Sequence, residues 1–329
     1  MATPTTRNLG FELVRATEAA ALASGRWMGR GDRNAVDGAA VTAMRYALSH
    51  VDMDGIVVIG EGEKDQAPML YIGERIGNGL PPLVDVAVDP VDGTRALAKG
   101  LPNAISVVAL SERGSLYSPG HVAYVEKIAV GPSAKDAIDL TATVGQNLRA
   151  IARAKDSAVD DLTVVILDRP RHEKLINEVR AAGARVSLIQ DGDVAGVIMT
   201  ALPDTGIDVL MGIGGSPEAV VAACALRCLG GEIQCRLWPR DEAERTQAEL
   251  DGLDLGRILT TRDLSAGEDV FFAATGISDG EVLKGVRYYS HGARTQSIVM
   301  RSYSGTIRMV EAEHNFEKLH KITEMVVPR

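Results

Sequence analysis

The sequence predicts a layered α/β protein built as two lobes. Three observations carry this. The chain has 329 residues, more than one hydrophobic core usually holds. Between residues 162 and 237, short apolar runs alternate with segments of helical period, as parallel strands with helical crossovers do. Aromatic residues are only 4 % of the chain while Ala, Val, Gly, Ile and Leu abound, a balance that suits helices packed closely on sheets. The change of rhythm near 155–162 puts the lobe boundary there, giving residues 1–158 and 159–329 packed as one compact unit.

Taken in order, Leu9, Leu13, Ala16, Ala20 and Trp27 recur near helical spacing, so 9–28 reads as an amphipathic helix. A second helix is expected over 35–51, with a turn over 52–55. Residues 56–59 form a short apolar strand that runs into Gly60-Glu61-Gly62-Glu63-Lys64-Asp65, and 84–88 form another that also ends on an acidic loop. Strands follow over 104–111 and 124–130, separated by a turn carrying Gly114, Pro119 and Gly120, and then a helix over 144–155. In the second lobe, strands over 162–167, 185–189, 207–213 and 233–237 alternate with helices over 172–182, 194–201 and 217–229. Residues 239–253 read as a polar surface excursion, and 270–274, 293–301 and 306–312 as a terminal strand group.

A net charge of -9 disfavours a nucleic-acid role, which needs a basic face. No apolar run reaches the roughly 18 residues that span a bilayer, and residues 1–8 do not resemble a signal peptide. The three cysteines, Cys224, Cys228 and Cys235, are odd in number and clustered, which argues against a disulfide framework. They read as inert buried thiols, with a metal or redox pair at Cys224 and Cys228 as the alternative. A reducing cytoplasm is the expected compartment.

Three groups of acids stand out in the first lobe: Asp37, then Glu61, Glu63 and Asp65, then Asp89 and Asp92. Alone, Asp37 or Glu63 reads as a solvated turn or cap acid. Asp89-Pro90-Val91-Asp92-Gly93-Thr94 is more pointed: the proline fixes the turn, the glycine permits close backbone approach, and Thr94 adds a hydroxyl beside two carboxylates. Converging carboxylates repel unless neutralised, and oxygen ligands favour magnesium or manganese over zinc.

That hexapeptide matches the DPxDGT signature of the lithium-sensitive, metal-dependent sugar phosphatases. Gly29-Arg30-Gly31-Asp32, Ile59-Gly60-Glu61-Gly62-Glu63, Ala67-Pro68-Met69-Leu70, Arg169-Pro170-Arg171-His172, Asp191-Gly192-Asp193 and Gly212-Ile213-Gly214-Gly215-Ser216-Pro217-Glu218 occur in that order, and the series resembles class II fructose-1,6-bisphosphatases of bacteria over about residues 8–315. The resemblance implies the sugar phosphatase fold, an α-β-α-β-α sandwich. It implies two or more Mg2+ or Mn2+ ions per active site, with Asp37 and Glu61 as ligands of one and Asp89 and Glu218 as ligands of another. It places Asp92, Gly93 and Thr94 on the substrate phosphate, with Thr94 activating water and Asp65 assisting as catalytic residues. Glu63 is a weaker candidate ligand in the same loop.

In the second lobe the resemblance implies that Arg169, Pro170 and Arg171 hold the phosphate that is not cleaved. Two guanidinium groups on a proline-stiffened loop suit a phosphate, although the residues alone read equally as a solvated loop. Asp191, Gly192 and Asp193 would contact sugar hydroxyls, where an Asp alone reads as a helix N-cap. Tyr124 and Gly215 complete the substrate contacts, and His172 reads as a helix-start residue. Gly212 to Glu218 follows a strand and opens a helix but has the wrong spacing for a dinucleotide fingerprint.

The expected reaction is hydrolysis of the 1-phosphate of fructose 1,6-bisphosphate, in gluconeogenesis or carbon fixation. Dual activity on sedoheptulose 1,7-bisphosphate is the alternative within the class. A catalytically dead metabolite-binding regulator is the alternative outside it. Relatives imply a homodimer or homotetramer, with no nucleic-acid or membrane partner.

Overall fold

The computed structural model describes residues 8–61 and 70–322. Along the chain run helices α1 (Gly10–Ser24) and α2 (Arg33–Ser49), strands β1 (Asp54–Ile59), β2 (Arg75–Ile76) and β3 (Leu83–Asp92), helix α3 (Thr94–Ala98), and strands β4 (Ile105–Glu112) and β5 (Tyr124–Val130). Next come α4 (Val144–Ala154), β6 (Thr163–Leu167), α5 (Glu173–Ala181), β7 (Arg185–Ile189), α6 (Asp193–Ala201), β8 (Val209–Gly215), α7 (Ser216–Leu229) and β9 (Glu232–Leu237). The chain continues through α8 (Glu242–Leu250), β10 (Leu259–Thr260), α9 (Thr261–Leu264), β11 (Phe271–Gly276), β12 (Arg287–Tyr289), β13 (Gly292–Arg301), β14 (Thr306–Asn315) and α10 (Phe316–Ile322). Among the described residues no helix is long and apolar enough to cross a membrane.

Two units emerge: Met1–Leu116 with Gly267–Arg329, and Tyr117–Ala266. The division therefore does not fall at 158/159, where the rhythm of the sequence put it. Strand pairing is the reason. β11 pairs antiparallel with β4 along its whole length, from Phe271 opposite Leu110 to Gly276 opposite Ile105, and β13 pairs with β11. The terminal strand group is thereby drawn back into the first unit's sheet.

That sheet has the order β12-β13-β11-β4-β3-β1-β2, with β14 pairing β13. Helices α1 and α2 cover one face. Their Leu13, Ala20, Met44 and Leu48 bury fully with Val57, Val86, Val108 and Leu110 of the strands, each large side chain worth roughly 1.5–3 kcal/mol of transfer free energy. Asp32 caps α2, its carboxylate accepting the Ala35 N–H at 3.0 Å. The first helix stops as an α-helix at Ser24 and continues to Trp27 as one tighter 3-10 turn.

Glu18, on α1, is buried against β13 and β14. Thr295 Oγ1 donates to it at 3.3 Å and His314 Nε2 lies 3.9 Å away. Burial raises its pKa from 4.5 to about 7, against the smaller opposing effects of Thr295 and Arg15, while burial lowers the pKa of His314. The folded protein thus holds a proton on Glu18 that the unfolded chain has released. Stability from this group is complete below about pH 4.5 and is lost as pH rises through about 7, a total of about 3 kcal/mol. Glu18→Gln should therefore gain stability relative to the unsubstituted protein between pH 4.5 and pH 8, read from denaturant midpoints. A stability difference independent of pH would contradict it.

The second unit's sheet has the order β10-β9-β5-β8-β6-β7. β6 is parallel to both β7 and β8, as the strand–helix alternation predicts. β9 runs in the same direction but is not the neighbour of β8: β5 inserts between them and pairs antiparallel with each. The sheet is therefore mixed, and β5, one of its two middle strands, comes from within residues 1–158. Helices α4 and α5 bury Leu148, Ile151, Ile176 and Val179 on one face with Ile128, Ile166 and Met211. Helices α6 and α7 lie on the other, where Gly196 of α6 approaches Val165, Ile189 and Leu210. Residues 239–253 contain α8, capped by Asp241 accepting from the Glu244 N–H at 2.9 Å.

Candidate active site

In the first unit β1 and β3 are parallel neighbours, so both deliver the residues that follow them to the same edge of the sheet. After β1 come Gly60 and Glu61. The Glu61 N–H donates to the Leu70 carbonyl at 3.0 Å, pairing the described residues on either side of 62–69. A Cβ on Gly60 would stand 2.0 Å from that carbonyl oxygen, so glycine is required. Glu63, Asp65, Ala67, Pro68 and Met69 lie outside the described residues.

β3 continues through Asp89-Pro90-Val91-Asp92, so this part of the motif is strand and not the loop expected after residue 88. Its register with β4 shifts between Asp89 and Asp92, where Pro90 has no N–H for the ladder. Asp89 is half-buried and its Oδ1 accepts the Val91 N–H at 3.1 Å; Asp92 is buried. Gly93 then takes φ 103° with its Cα facing Ala104, and Thr94 opens α3.

Asp37 sits one turn inside α2 and not at its start. The Gly29-Arg30-Gly31-Asp32 turn explains why it meets the motif. Gly29 and Gly31 donate to the carbonyls of Leu97 and Ala98 at 2.9 Å each, and Asp32 caps α2, so the turn fastens α2 to α3. The Thr94 hydroxyl consequently reaches Asp37 Oδ1 at 2.7 Å, with the Val91 carbonyl as a second acceptor at 3.1 Å. Glu61 is drawn into the same electrostatic group. Part of the residue reaches solvent, yet its carboxyl is crowded enough that burial, followed by the charge of Asp37, raises its pKa.

Asp37, Glu61 and Thr94 thus offer two mutually repelling carboxylates and a hydroxyl. The chemistry of these donors, all oxygen, fits a hard divalent cation. Among the described residues no three His, Cys, Asp or Glu side chains are already gathered as a metal-holding group. The acids of 62–69 are not among them.

In the second unit the carboxyl ends of β6, β7 and β8 lie side by side, the usual ligand-binding edge of a parallel sheet. Arg169 and Arg171 follow β6, Asp191 to Asp193 follow β7, and Gly215 and Glu218 close β8 and open α7. Tyr124 begins β5 directly opposite Gly215. The Arg171 guanidinium lies 5.1 Å from the Tyr124 ring centre and donates to the Ile213 carbonyl at 2.8 Å; Tyr124 also packs edge-on against Trp238. Arg169 pairs with Asp191 at 3.4 Å. The Glu218 carboxylate folds over Gly215, where any Cβ would stand 1.7 Å from Oε2.

Asp193 differs from expectation, whereas His172 stands at the N-cap of α5 as a helix-start residue should. Asp193 neither caps α6, whose N-cap is Gly192, nor faces outward: it is buried in an ion pair with Lys127 at 2.7 Å. His172 is 1 % exposed, with Nδ1 donating to the Leu167 carbonyl and Nε2 accepting the Ile213 N–H, both at 2.7 Å. Burial, reinforced by Arg171 and Arg169, lowers its pKa. It is a neutral brace joining the arginine loop to β8. All three cysteines are buried and none forms a disulfide, with burial pushing Cys224 and Cys235 up to about 12, as inert thiols require.

Known proteins resemble this chain in sequence over nearly its whole length. A Haemophilus influenzae protein named fructose-1,6-bisphosphatase class 2 is 45 % identical over 329 residues, covering 96 % of this chain and 98 % of that one. An Escherichia coli K12 protein named fructose-1,6-bisphosphatase 1 class 2 is 43 % identical over 325 residues, covering 95 % and 96 %. The layered α/β architecture is the sugar phosphatase fold. The family model described as bacterial fructose-1,6-bisphosphatase, glpX-encoded, matches residues 7–314, and the chain belongs to that family.

Proposed function

We infer that this chain removes the 1-phosphate of fructose 1,6-bisphosphate, releasing fructose 6-phosphate and phosphate, with magnesium or manganese held by Asp37, Glu61, Asp89 and Glu218. Membership of the family makes it a phosphatase of a metal-dependent class. The observation that supports Asp37 and Glu61 is that the charge of Asp37, which accepts from Thr94, adds to burial in raising the pKa of Glu61, an arrangement that a cation relieves; Asp89 and Glu218 rest on the family resemblance.

When bound, the cations would neutralise the transferring phosphoryl group and acidify a water. The chain's own groups do the positioning. Asp37 and the Val91 carbonyl orient the Thr94 hydroxyl, which aims the attacking water, with Asp65 assisting. Asp92 and Gly93 support the same phosphate. Arg169, Pro170 and Arg171 grip the 6-phosphate, Arg171 pre-set by Ile213 and Tyr124 and Arg169 by Asp191. Asp191, Gly192, Tyr124 and Gly215 line the sugar. Most of the rate effect is then orientation and electrostatics.

A dead regulator would have lost acids, whereas Asp37, Glu61, Asp89 and Glu218 are all present. The working form is a cytoplasmic homodimer or homotetramer, in gluconeogenesis or carbon fixation. Phosphate release from fructose 1,6-bisphosphate, sedoheptulose 1,7-bisphosphate and fructose 6-phosphate tests the substrate. Release from the first and none from the last is expected, and release from the seven-carbon ester at a similar rate would make the enzyme dual. No release from fructose 1,6-bisphosphate overturns the reading.

A further inference from the structure

Lys127 stands at the middle of β5, opposite Gly212 on one side and Cys235 on the other, and the reaction outlined above does not use it. It is 2 % exposed and its Nζ lies 2.7 Å from Asp193 Oδ2, which is 4 % exposed. Among the described residues neither Asp193 oxygen has an aligned hydrogen bond, so the contact is one of charge. Two apolar residues of similar size would serve the stability of such a site as well or better, because burying an ion pair costs desolvation that attraction only partly repays. The pair therefore calls for a role other than packing.

Its surroundings supply one. A Cβ on Gly214 would stand 2.0 Å from Asp193 Oδ2 and 2.9 Å from Lys127 Nζ, so the glycine lets the pair lie directly against the end of β8. Lys127 Nζ also approaches the Gly215 carbonyl at 3.5 Å. From Asp193 the chain steps back through Gly192, in the left-handed region at φ 83°, to Asp191, which pairs with Arg169. On the other side, a cavity of about 10 Å³ separates the pair from His172, the brace of the arginine loop. The three loops at the ends of β6, β7 and β8 thus meet around Lys127 and Asp193.

We propose that Lys127 is a positioning residue: its ion pair with Asp193 fixes the first turn of α6 against the end of β8, and through Asp191 sets the Arg169 guanidinium that grips the 6-phosphate. This rests on the reading of Arg169 as a phosphate ligand, so the test has one arm that does not depend on catalysis. The variants are Lys127→Met, and Lys127→Met with Asp193→Asn, which leaves no lone buried charge and carries the test where the single variant fails to fold.

In hydrogen exchange on the full chain, amides of 168–172 and 190–194 should exchange faster in the double variant by about 10-fold or more, as segments that open locally do, with α4 and α7 unchanged. In turnover of fructose 1,6-bisphosphate, KM should rise by a similar factor, about 10- to 100-fold, with kcat nearly constant. The double variant should regain the melting temperature lost by Lys127→Met without regaining KM. Unchanged exchange in both loops overturns the proposal whatever the enzyme hydrolyses. So does a KM that recovers together with the melting temperature, which marks a purely structural pair. Loosened loops with an unchanged KM overturn the link to Arg169. A chain that hydrolyses no fructose 1,6-bisphosphate sinks the functional reading instead, and the exchange arm still decides whether Lys127 fixes the loops.

Discussion

Replacing Asp89 with Asn is expected to lower kcat for fructose 1,6-bisphosphate by about a thousandfold or more, the scale of losing one preorganised electrostatic partner of the transition state. The substitution keeps the shape. Asp89 Oδ1 accepts the Val91 N–H at 3.1 Å, and an amide oxygen serves equally there. The register shift of β3 and the φ of Gly93 are set by Pro90 and the glycine, not by the charge. What changes is a half-buried negative charge proposed to hold a cation. The melting temperature without added metal should therefore stay put while turnover collapses. A variant with near-normal turnover would refute the metal assignment of Asp89.

Arg171→Ala is the second large effect. The guanidinium is pre-set by two donations to the Ile213 carbonyl, from Nε at 3.3 Å and Nη2 at 2.8 Å, and by the Tyr124 ring. Hydrogen bonds to charged groups are worth about 1.5–3 kcal/mol, so KM should rise about 10- to 100-fold with a smaller change in kcat. Fructose 1-phosphate, which lacks the second phosphate, separates the roles. Its turnover should be nearly insensitive to the substitution. An equal loss on both substrates would mean that Arg171 supports the loop and does not hold the 6-phosphate.

Much of this site is legible in the sequence because local chemistry fixes it. Pro90 and Gly93 mark a fixed bend and a close backbone approach beside the acids, although they do not show that β3 runs on to Asp92. Pro170 marks the arginine loop in the same way. Strand and helix alternation from 163 to 237 gives strand directions correctly, since helical crossovers preserve direction. It does not give neighbours. The insertion of β5 between β8 and β9, and the return of β11 to β4, are long-range pairings with no local signature. For that reason the unit boundary at 116/117 reads locally as an ordinary turn with Gly114, Pro119 and Gly120. Asp193 is a similar case. An acid at a helix start looks like a cap or a ligand, and only the buried Lys127 on a distant strand turns it inward.

The carboxylates around Asp37 and Asp89 are proposed to work through a bound divalent cation on a bisphosphorylated sugar. The most direct measurement is phosphate release from fructose 1,6-bisphosphate by the full chain after chelator treatment, with and without added Mn2+ or Mg2+. No release is expected from the stripped protein, and restored release on adding metal, absent again in Asp89→Asn. Equal release by the stripped and the metal-supplied protein would contradict it.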